Sequence, residues 1–276
     1  MIKPNNKMNQ ELKQIIINRN RTVRSSPTIK VQNLINNVST NIVDSIPYET
    51  KIKEWLSPYM DLSNFIVYPT NGVTEGINWW LVNERRKIKK DPSDYPQVQG
   101  QETGDVLYMT TPSNADGTYK DIPTDIPVIL DMAYFLSSYP IKINIPDNVE
   151  KIFFSLNKCF GTRNTRTGWM FSREEVPFLD LLINIGQYYN YYAHAVQETI
   201  IANCKPDEAV KTFQKYQIKV CNKFNLVPSD VIWLGLSDDP DYDKFKHGNV
   251  NRISIAKEII NEYNNCLLYT SDAADE

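Results

Sequence analysis

The sequence predicts an α/β protein with a mostly parallel central sheet, helices on both faces of that sheet, and a small second domain of α+β structure. Two observations predict this class. Four short apolar runs are separated by helical segments or long connections, which is typical of parallel strands that are covered on both faces. Helical spacing then dominates, and two further apolar runs follow near the end of the chain.

The four predicted strands of the central sheet each end in polar or small residues. They are residues 65–68, 105–109, 127–130 and 151–154, and a further run at 169–171 predicts an edge or neighbouring strand. Ligands of parallel sheets bind beyond the carboxyl ends of the strands. We therefore expect a binding site where the first four runs end.

Helices are predicted from apolar spacing on either side of these strands. The segments are 52–59, 73–86, 176–185, 193–204 and 207–224, and residues 9–19 form either a helix or a mobile arm. The two late apolar runs, 231–236 and 250–255, predict strands of the smaller unit.

These patterns divide the chain into four parts. Residues 1–45 are predicted to be an N-terminal arm that is part of the small domain or packs on it. Residues 46–200 form the large domain and residues 201–265 the small one. Residues 266–276 resemble a translated sequencing adapter, so we expect a non-native tail there.

The composition is that of an ordinary globular protein, with 41% apolar and 23% charged residues. No apolar run approaches the roughly 18 residues of a membrane helix, and the polar start lacks the apolar core of a signal peptide. We expect a cytoplasmic protein that does not bind membranes, and no basic face indicates nucleic acid. The two histidines, His194 and His247, have no metal-ligand neighbour at helical spacing, so no metal site is expected.

Lys158 is the most informative residue. It follows the run at 151–154, and a lysine at the end of a buried strand is uncommon because desolvating its ammonium costs free energy. Burial also favours the neutral amine, which is a nucleophile. Asp131 and Tyr134 follow another strand. An amine, a carboxylate and a phenol are the groups that hold pyridoxal phosphate, although a solvated lysine and a turn-capping aspartate are the alternatives.

The segment Ser155-x-Asn157-Lys158-x-Phe160-Gly161, followed by Arg166-x-Gly168-Trp169, resembles the Schiff-base lysine segment of the class I/II aminotransferases. This family belongs to the fold-type I pyridoxal-phosphate enzymes, and the resemblance extends from about residue 48 to residue 254. It implies that Lys158 holds the cofactor as a Schiff base and later moves a proton. It also implies that Ser155 and Arg166 bind the phosphate, for which arginine offers a bidentate fork.

Two further segments resemble cofactor-binding motifs of the family. The motif that begins at Asp131 implies that this carboxylate keeps the ring nitrogen protonated and that Tyr134 hydrogen-bonds the ring oxygen. Residues 71–77 resemble the phosphate loop. In that loop Gly72 permits close approach, and the amides of Val73 and Thr74 open a helix whose N-terminus favours an anion. A simple Asn-Gly turn is the alternative.

Four more residues receive a role from the resemblance. Asn114 would donate to the ring oxygen, and Tyr95 would stack on the ring, unless it is a surface tyrosine. Arg252 would bind the substrate α-carboxylate through its planar guanidinium, unless it is a surface arginine on a strand. Tyr48 would reach the phosphate of the neighbouring subunit, which implies a homodimer with shared active sites, whereas simple packing is the alternative.

The resemblance therefore implies a pyridoxal-phosphate-dependent aminotransferase of amino acid metabolism. Such a transferase moves an amino group between an amino acid and a 2-oxo acid, here through Lys158. A decarboxylase, lyase or synthase would share the same cofactor residues. A non-catalytic protein on the same scaffold is the third alternative. A nucleotide-binding dehydrogenase is disfavoured, because no GxGxxG motif follows a predicted strand.

Overall fold

The larger of two sheets has six strands in the computed structural model, which describes residues 6–17, 22–39, 48–186 and 190–272. The strands are β1 (Ile66–Thr70), β2 (Ile88–Lys90), β3 (Val106–Thr110), β4 (Val128–Asp131), β5 (Val149–Phe154) and β6 (Gly168–Ser172). Their order across the sheet is β1-β6-β5-β4-β3-β2. Strands β2 to β5 are mutually parallel, and β6 pairs antiparallel with both β1 and β5. The predicted mostly parallel sheet is confirmed.

Both faces of this sheet are buried, which explains why its strands read as continuous apolar runs. Successive side chains of a strand point to opposite faces. On β5, Ile152 and Phe154 accordingly pack in one hydrophobic cluster and Phe153 in a second one on the other face. All four residues of β4 and all five of β6 are buried.

The described residues also form eight helices. They are α1 (Asn6–Ile17), α2 (Ile29–Asn36), α3 (Tyr48–Leu56), α4 (Val73–Asn83), α5 (Pro177–Leu179), α6 (Tyr191–Asn203), α7 (Glu208–Phe224) and α8 (Ala256–Asp272). A wider π-helical turn over Asp180–Ile185 continues α5. Helix α4 ends three residues before the predicted position, where Glu84 adopts an extended conformation. Helices α2 and α8 were not predicted.

A second, antiparallel sheet of four short strands forms the smaller unit. Its strands are β7 (Val227–Pro228), β8 (Leu234–Ser237), β9 (Lys246–His247) and β10 (Val250–Ser254), in the order β7-β8-β10-β9. The two predicted late strands correspond to β8 and β10. Helix α7 packs on this sheet through an apolar stripe that includes Phe213, Val220 and Phe224.

The N-terminal part of the chain contacts both units. Lys13 of α1 forms ion pairs with Asp239 and Asp241, which lie between β8 and β9. Residues 22–28 then pass across the loop that carries Lys158, where the hydroxyl of Ser25 donates to the carbonyl oxygen of Asn157 at 3.1 Å. The helix predicted over 9–19 corresponds to α1.

Candidate active site

A cavity of about 540 Å³ lies where β1, β3, β4 and β5 end. Most of the residues predicted from the sequence line it: Val73, Thr74, Tyr95, Asn114, Asp131, Tyr134, Ser155, Lys158, Arg166 and Arg252. Gly72 lies directly behind this lining, beside Arg166. The backbone of Tyr48 begins α3, and its side chain lies outside the described residues.

The amine of Lys158 lies among the groups of this cavity. Its Nζ donates a hydrogen bond of 2.9 Å to the carbonyl oxygen of Val23 and lies 5.6 Å from the centre of the Tyr134 ring. The backbone carbonyl of Lys158 accepts a 2.7 Å bond from the indole nitrogen of the buried Trp233. The N-terminal segment and the smaller unit thus both hold the lysine loop.

Asn157 stabilises the lysine loop through hydrogen bonds within it. Its side-chain oxygen accepts hydrogen bonds from the hydroxyl of Thr162 at 3.0 Å and from the amide of Thr167 at 3.2 Å. Its own backbone amide donates to Ser155 Oγ at 3.0 Å. Arg166 is exposed. Its backbone is left-handed, with φ +56°, which is uncommon for a residue other than glycine.

The phosphate-loop candidate lies against this arginine because two glycines permit close approach. Gly72 has φ +84°, and a Cβ there would lie 2.7 Å from Asn157 Nδ2 and 3.3 Å from Arg166 Nη2. A Cβ on Gly168 would lie 2.7 Å from Gly72 Cα. Since α4 begins at Val73, its first amides have no carbonyl partner within the helix. The first amides of α4 and the guanidinium of Arg166 therefore lie beside one small region of the cavity.

Asp131 is a buried carboxylate, 5% exposed, at the end of β4. Its Oδ2 accepts a 2.7 Å hydrogen bond from the hydroxyl of Tyr108, and its Oδ1 a 2.9 Å bond from the amide of Ala133. Burial raises the pKa of Asp131 to about 6, and the two hydrogen bonds oppose that rise. Sequence patterns did not reveal Tyr108 as a partner, because it belongs to a neighbouring strand.

Arg252 and Asn114 meet across the cavity. Arg252 Nη1 donates to the carbonyl oxygen of Asn114 at 2.5 Å and to its Oδ1 at 2.8 Å. The Nε of this buried arginine has no hydrogen-bond partner among the described residues. The side-chain amide of Asn114 donates to the carbonyl oxygen of Ser93, and the hydroxyl of Tyr95 lies 3.2 Å from Thr74 Oγ1.

Several lining residues were not predicted. They are Thr22, Val23, Ser25, Pro96, Thr110, Pro112, Ala133, Asn157, Arg163 and His247. The N-terminal members carry no periodic pattern that would place them here. One signal was available in Gly161, since a Cβ there would lie 2.2 Å from the backbone nitrogen of Pro27. Only a residue without a Cβ therefore fits at position 161, where Ser26 and Pro27 cross the loop.

The charge of the lining is strongly positive. Among the described residues, four cationic side chains line the cavity, namely Lys158, Arg163, Arg166 and Arg252, against the single carboxylate of Asp131. Low-dielectric walls of one sign attract ligands of the opposite sign. The cavity therefore suits a ligand with several negative charges.

The described residues contain neither a candidate metal cluster nor a helix that could span a membrane. No group of three or more histidine, cysteine, aspartate or glutamate side chains lies close enough there to hold a metal ion. Within the same part of the chain, no helix combines the length and the apolar character needed to cross a membrane.

The structure is similar to solved structures of pyridoxal-phosphate-dependent enzymes. A probable N-succinyldiaminopimelate aminotransferase from Thermus thermophilus gives a TM-score of 0.61 at 13% identity, covering 94% of this chain and 97% of that one. Histidinol-phosphate aminotransferase from Sinorhizobium meliloti, in complex with pyridoxal-5'-phosphate, gives 0.59 at 12% identity, covering 95% and 99%. The PLP-bound C-S lyase from Staphylococcus hominis gives 0.61 at 10% identity, covering 88% and 90%.

These likenesses show the fold. The chain has the fold-type I architecture of pyridoxal-phosphate-dependent transferases, which confirms the fold expected from the lysine segment. No protein-family model matches the sequence, and no curated protein matches it either.

Proposed function

We propose that this chain is a pyridoxal-phosphate-dependent aminotransferase that uses an amino acid and a 2-oxo acid as substrates. The observation that carries the proposal is the position of Lys158 Nζ in a basic cavity, together with Tyr134 and the buried carboxylate of Asp131. The similarity of the fold to PLP-bound aminotransferases and lyases supports the same cofactor.

The residues present fit this cofactor. Asp131 is a buried carboxylate that lines the cavity with no cation hydrogen-bonded to it among the described residues, and a protonated ring nitrogen would supply one. Gly72 leaves open a space beside Arg166 that a Cβ would fill. The cavity volume of about 540 Å³ lies within the usual range for ligand sites.

Each group of residues has a role in holding the cofactor. Arg166, Ser155 and the amides of Val73 and Thr74 would bind its phosphate, because amides at a helix start and a guanidinium both favour an anion. Asp131 would hold the ring nitrogen. Further contacts to the ring would come from Asn114, Tyr134 and Tyr95. When bound, the cofactor supplies an electron sink for the carbanion of the substrate.

The remaining roles belong to Lys158 and Arg252. The Lys158 amine would attach the cofactor, and after the substrate displaces it, Nζ would carry the proton that leaves Cα. Arg252 would bind the α-carboxylate of the substrate, and its unpartnered Nε supports this role. A binding group for the α-carboxylate favours a reaction in which the substrate keeps that group, such as transamination, over decarboxylation.

The proposal includes a homodimer whose sites are completed by Tyr48 of the second subunit. The exposure of Arg163 and Arg166 at the cavity supports it, because another subunit could cover them. Sedimentation analysis of the purified protein tests the assembly, and a monomer would contradict it. Mixing Tyr48→Phe with Lys158→Ala protein tests the sharing, since only shared sites give mixed dimers with one intact site.

The experiment that tests the function is the visible absorbance of the protein with pyridoxal phosphate, for wild type, Lys158→Ala and Lys151→Ala. Lys151 is the matched control, because it lies on the strand that precedes Lys158 and its Nζ bonds Ser172 Oγ away from the cavity. We expect a yellow band in wild type and Lys151→Ala that is absent from Lys158→Ala. Borohydride reduction should leave a phosphopyridoxyl group, which is the cofactor less one oxygen atom, on the same two proteins.

A panel of amino acids then identifies the reaction. Loss of the band with one amino acid, with formation of its 2-oxo acid, would support transamination and name the donor. A band that persists while a substrate is cleaved would move the proposal to a lyase, decarboxylase or synthase. No Lys158-dependent band in a folded protein would overturn the proposal.

A further inference from the structure

Tyr108 approaches Asp131 from the neighbouring strand. In the parallel pairing of β3 and β4, Tyr108 lies opposite Ile129 and Thr110 lies opposite Asp131. Tyr108 and Asp131 are therefore diagonal neighbours on one face of the sheet, a separation that a long aromatic side chain can span. The phenol oxygen lies 2.7 Å from Asp131 Oδ2, and both residues are buried.

The ring of Tyr108 is fixed in this position. It stacks on Trp80 with a centroid distance of 5.9 Å and an angle of 10° between the planes. Trp80 belongs to α4, the helix that opens with the phosphate-loop candidate, and its indole nitrogen donates to Glu84 at 2.8 Å. Since Tyr108 is fully buried, water cannot replace Asp131 as the hydrogen-bond acceptor of its hydroxyl.

The hydroxyl of Tyr108 remains a donor under all ordinary conditions. Burial, and then the charge of Asp131, raise the pKa of Tyr108 well above its ordinary value. The carboxylate of Asp131 thus receives one donor on each oxygen, from Tyr108 and from the amide of Ala133. The other charges that act on it are those of Asp94, which disfavours ionisation, and Lys158, which favours it.

We propose that Tyr108 is a positioning residue: its hydroxyl keeps Asp131 ionised and fixes the carboxylate toward the cavity, where a protonated ring nitrogen binds. This inference rests on the proposed function, because it concerns the ring of the same cofactor. Tyr108 itself does not line the cavity, so any effect on a ligand bound there is indirect. Its effect is transmitted through Asp131 alone.

The test compares two ligands and three proteins. The ligands are pyridoxal phosphate and its 1-deaza analogue, in which carbon replaces the ring nitrogen. The proteins are wild type, Tyr108→Phe and Tyr68→Phe. Tyr68 is the matched control, because it is equally buried in the same cluster and its hydroxyl accepts a 3.1 Å bond from the Val176 amide, outside the cavity lining.

A hydrogen bond to a charged group is worth enough to change affinity about tenfold. We therefore expect Tyr108→Phe to raise the dissociation constant of pyridoxal phosphate about tenfold and to leave that of the deaza analogue unchanged or lower. Tyr68→Phe should change neither. Equal losses for both ligands, or no loss for pyridoxal phosphate, would overturn the inference.

The binding measurements distinguish failure of the proposed function from failure of the Tyr108 inference. A folded wild type that does not bind pyridoxal phosphate overturns the proposed function, whereas binding without a Tyr108 effect overturns only this inference. If Tyr108→Phe lacks the folded circular-dichroism spectrum, the double variant Tyr108→Phe/Asp131→Asn is measured in its place. The double variant has no buried carboxylate that lacks its hydrogen bond. Compared with Asp131→Asn alone, the double variant should change the affinity less than about twofold, and a tenfold loss would contradict the role.

Discussion

Arg252 Nη1 donates to both the backbone and the side-chain oxygen of Asn114. The two residues belong to different sheets, since Arg252 lies on β10 and Asn114 follows β3. One guanidinium therefore joins the smaller unit to the larger one while its Nε is left unpartnered among the described residues. The residue proposed to bind the substrate therefore also links the two parts of the protein that line the cavity.

Arg252→Lys is expected to weaken substrate binding without removing the cofactor. Lysine keeps the charge but loses the planar fork, so KM for the amino acid should rise about tenfold or more. The yellow band of the bound cofactor should persist. Steady-state kinetics and absorbance measure the two effects. Arg173→Lys is the control, because Arg173 also binds backbone carbonyls but lies outside the cavity; equal effects of both changes would count against the role.

Gly168→Ala should distort the loop at Gly72, the phosphate-loop candidate. The new Cβ would lie 2.7 Å from Gly72 Cα and 3.0 Å from the carbonyl oxygen of Phe154, and backbone atoms cannot move aside cheaply. We expect a loss of about 3 kcal/mol in the free energy of unfolding and weaker binding of pyridoxal phosphate. Urea denaturation measures the first effect. Gly248→Ala, where the nearest atom is 3.7 Å away, should cost only the ~1 kcal/mol of its left-handed backbone.

Asp131 should destabilise the cofactor-free protein at neutral pH. Its folded pKa of about 6 lies above the ordinary value of 3.8, so the folded state binds more protons than the unfolded state between these values. The contribution of Asp131 to the free energy of unfolding therefore falls as pH rises from about 4 to 6, by at most ~3 kcal/mol. Denaturation of Asp131→Asn across this range should lack that fall. Parallel pH curves for the two proteins would show that the shift is absent.

His194 should act in the opposite direction. Burial, and then the charge of Lys51, lower its pKa from 6.5 to about 4, so the unfolded state binds the proton first. Its contribution is complete above pH 6.5 and is lost as the pH falls toward 4, by about 3 kcal/mol. The stability of His194→Gln, relative to that of wild type, should therefore rise as the pH falls from 7 to 4. Thermal unfolding at several pH values measures this, and an unchanged slope would refute it.

Wild type combines these two opposed trends. Between pH 4 and 6, protonation of Asp131 stabilises the folded state while protonation of the unfolded His194 destabilises it. The curve of wild type should therefore be flatter than that of either variant. The effects of the two single changes should add in the double variant if the two sites act independently.

The sequence predicted the parts of the fold that depend on local pattern. Strands β1, β3, β4 and β5 are buried on both faces, and this requires unbroken apolar runs that are visible in the sequence. The rule that ligands bind at the carboxyl ends then led to Asp131 and Lys158 without knowledge of the strand order. Most of the predicted site residues do line a single cavity.

The parts that were missed depend on partners distant in sequence. Strand β2 contains two lysines and lies at the sheet edge, so it carries no apolar run. The hydrogen bond of Tyr108 to Asp131 requires the register of β3 on β4, which no single strand reveals. The same holds for Val23, whose carbonyl accepts from Lys158 across a long stretch of chain.

The place of β6 in the sheet has a consequence for synthesis of the chain on the ribosome. β6 is the last of the six strands to be made, yet it lies between β1 and β5. Until residue 172 emerges, each of those strands keeps an unpaired edge, which is a template for pairing with other chains. A nascent or truncated chain that ends before residue 168 is therefore expected to aggregate more readily than the full chain, and the cavity is not complete until β10 delivers Arg252.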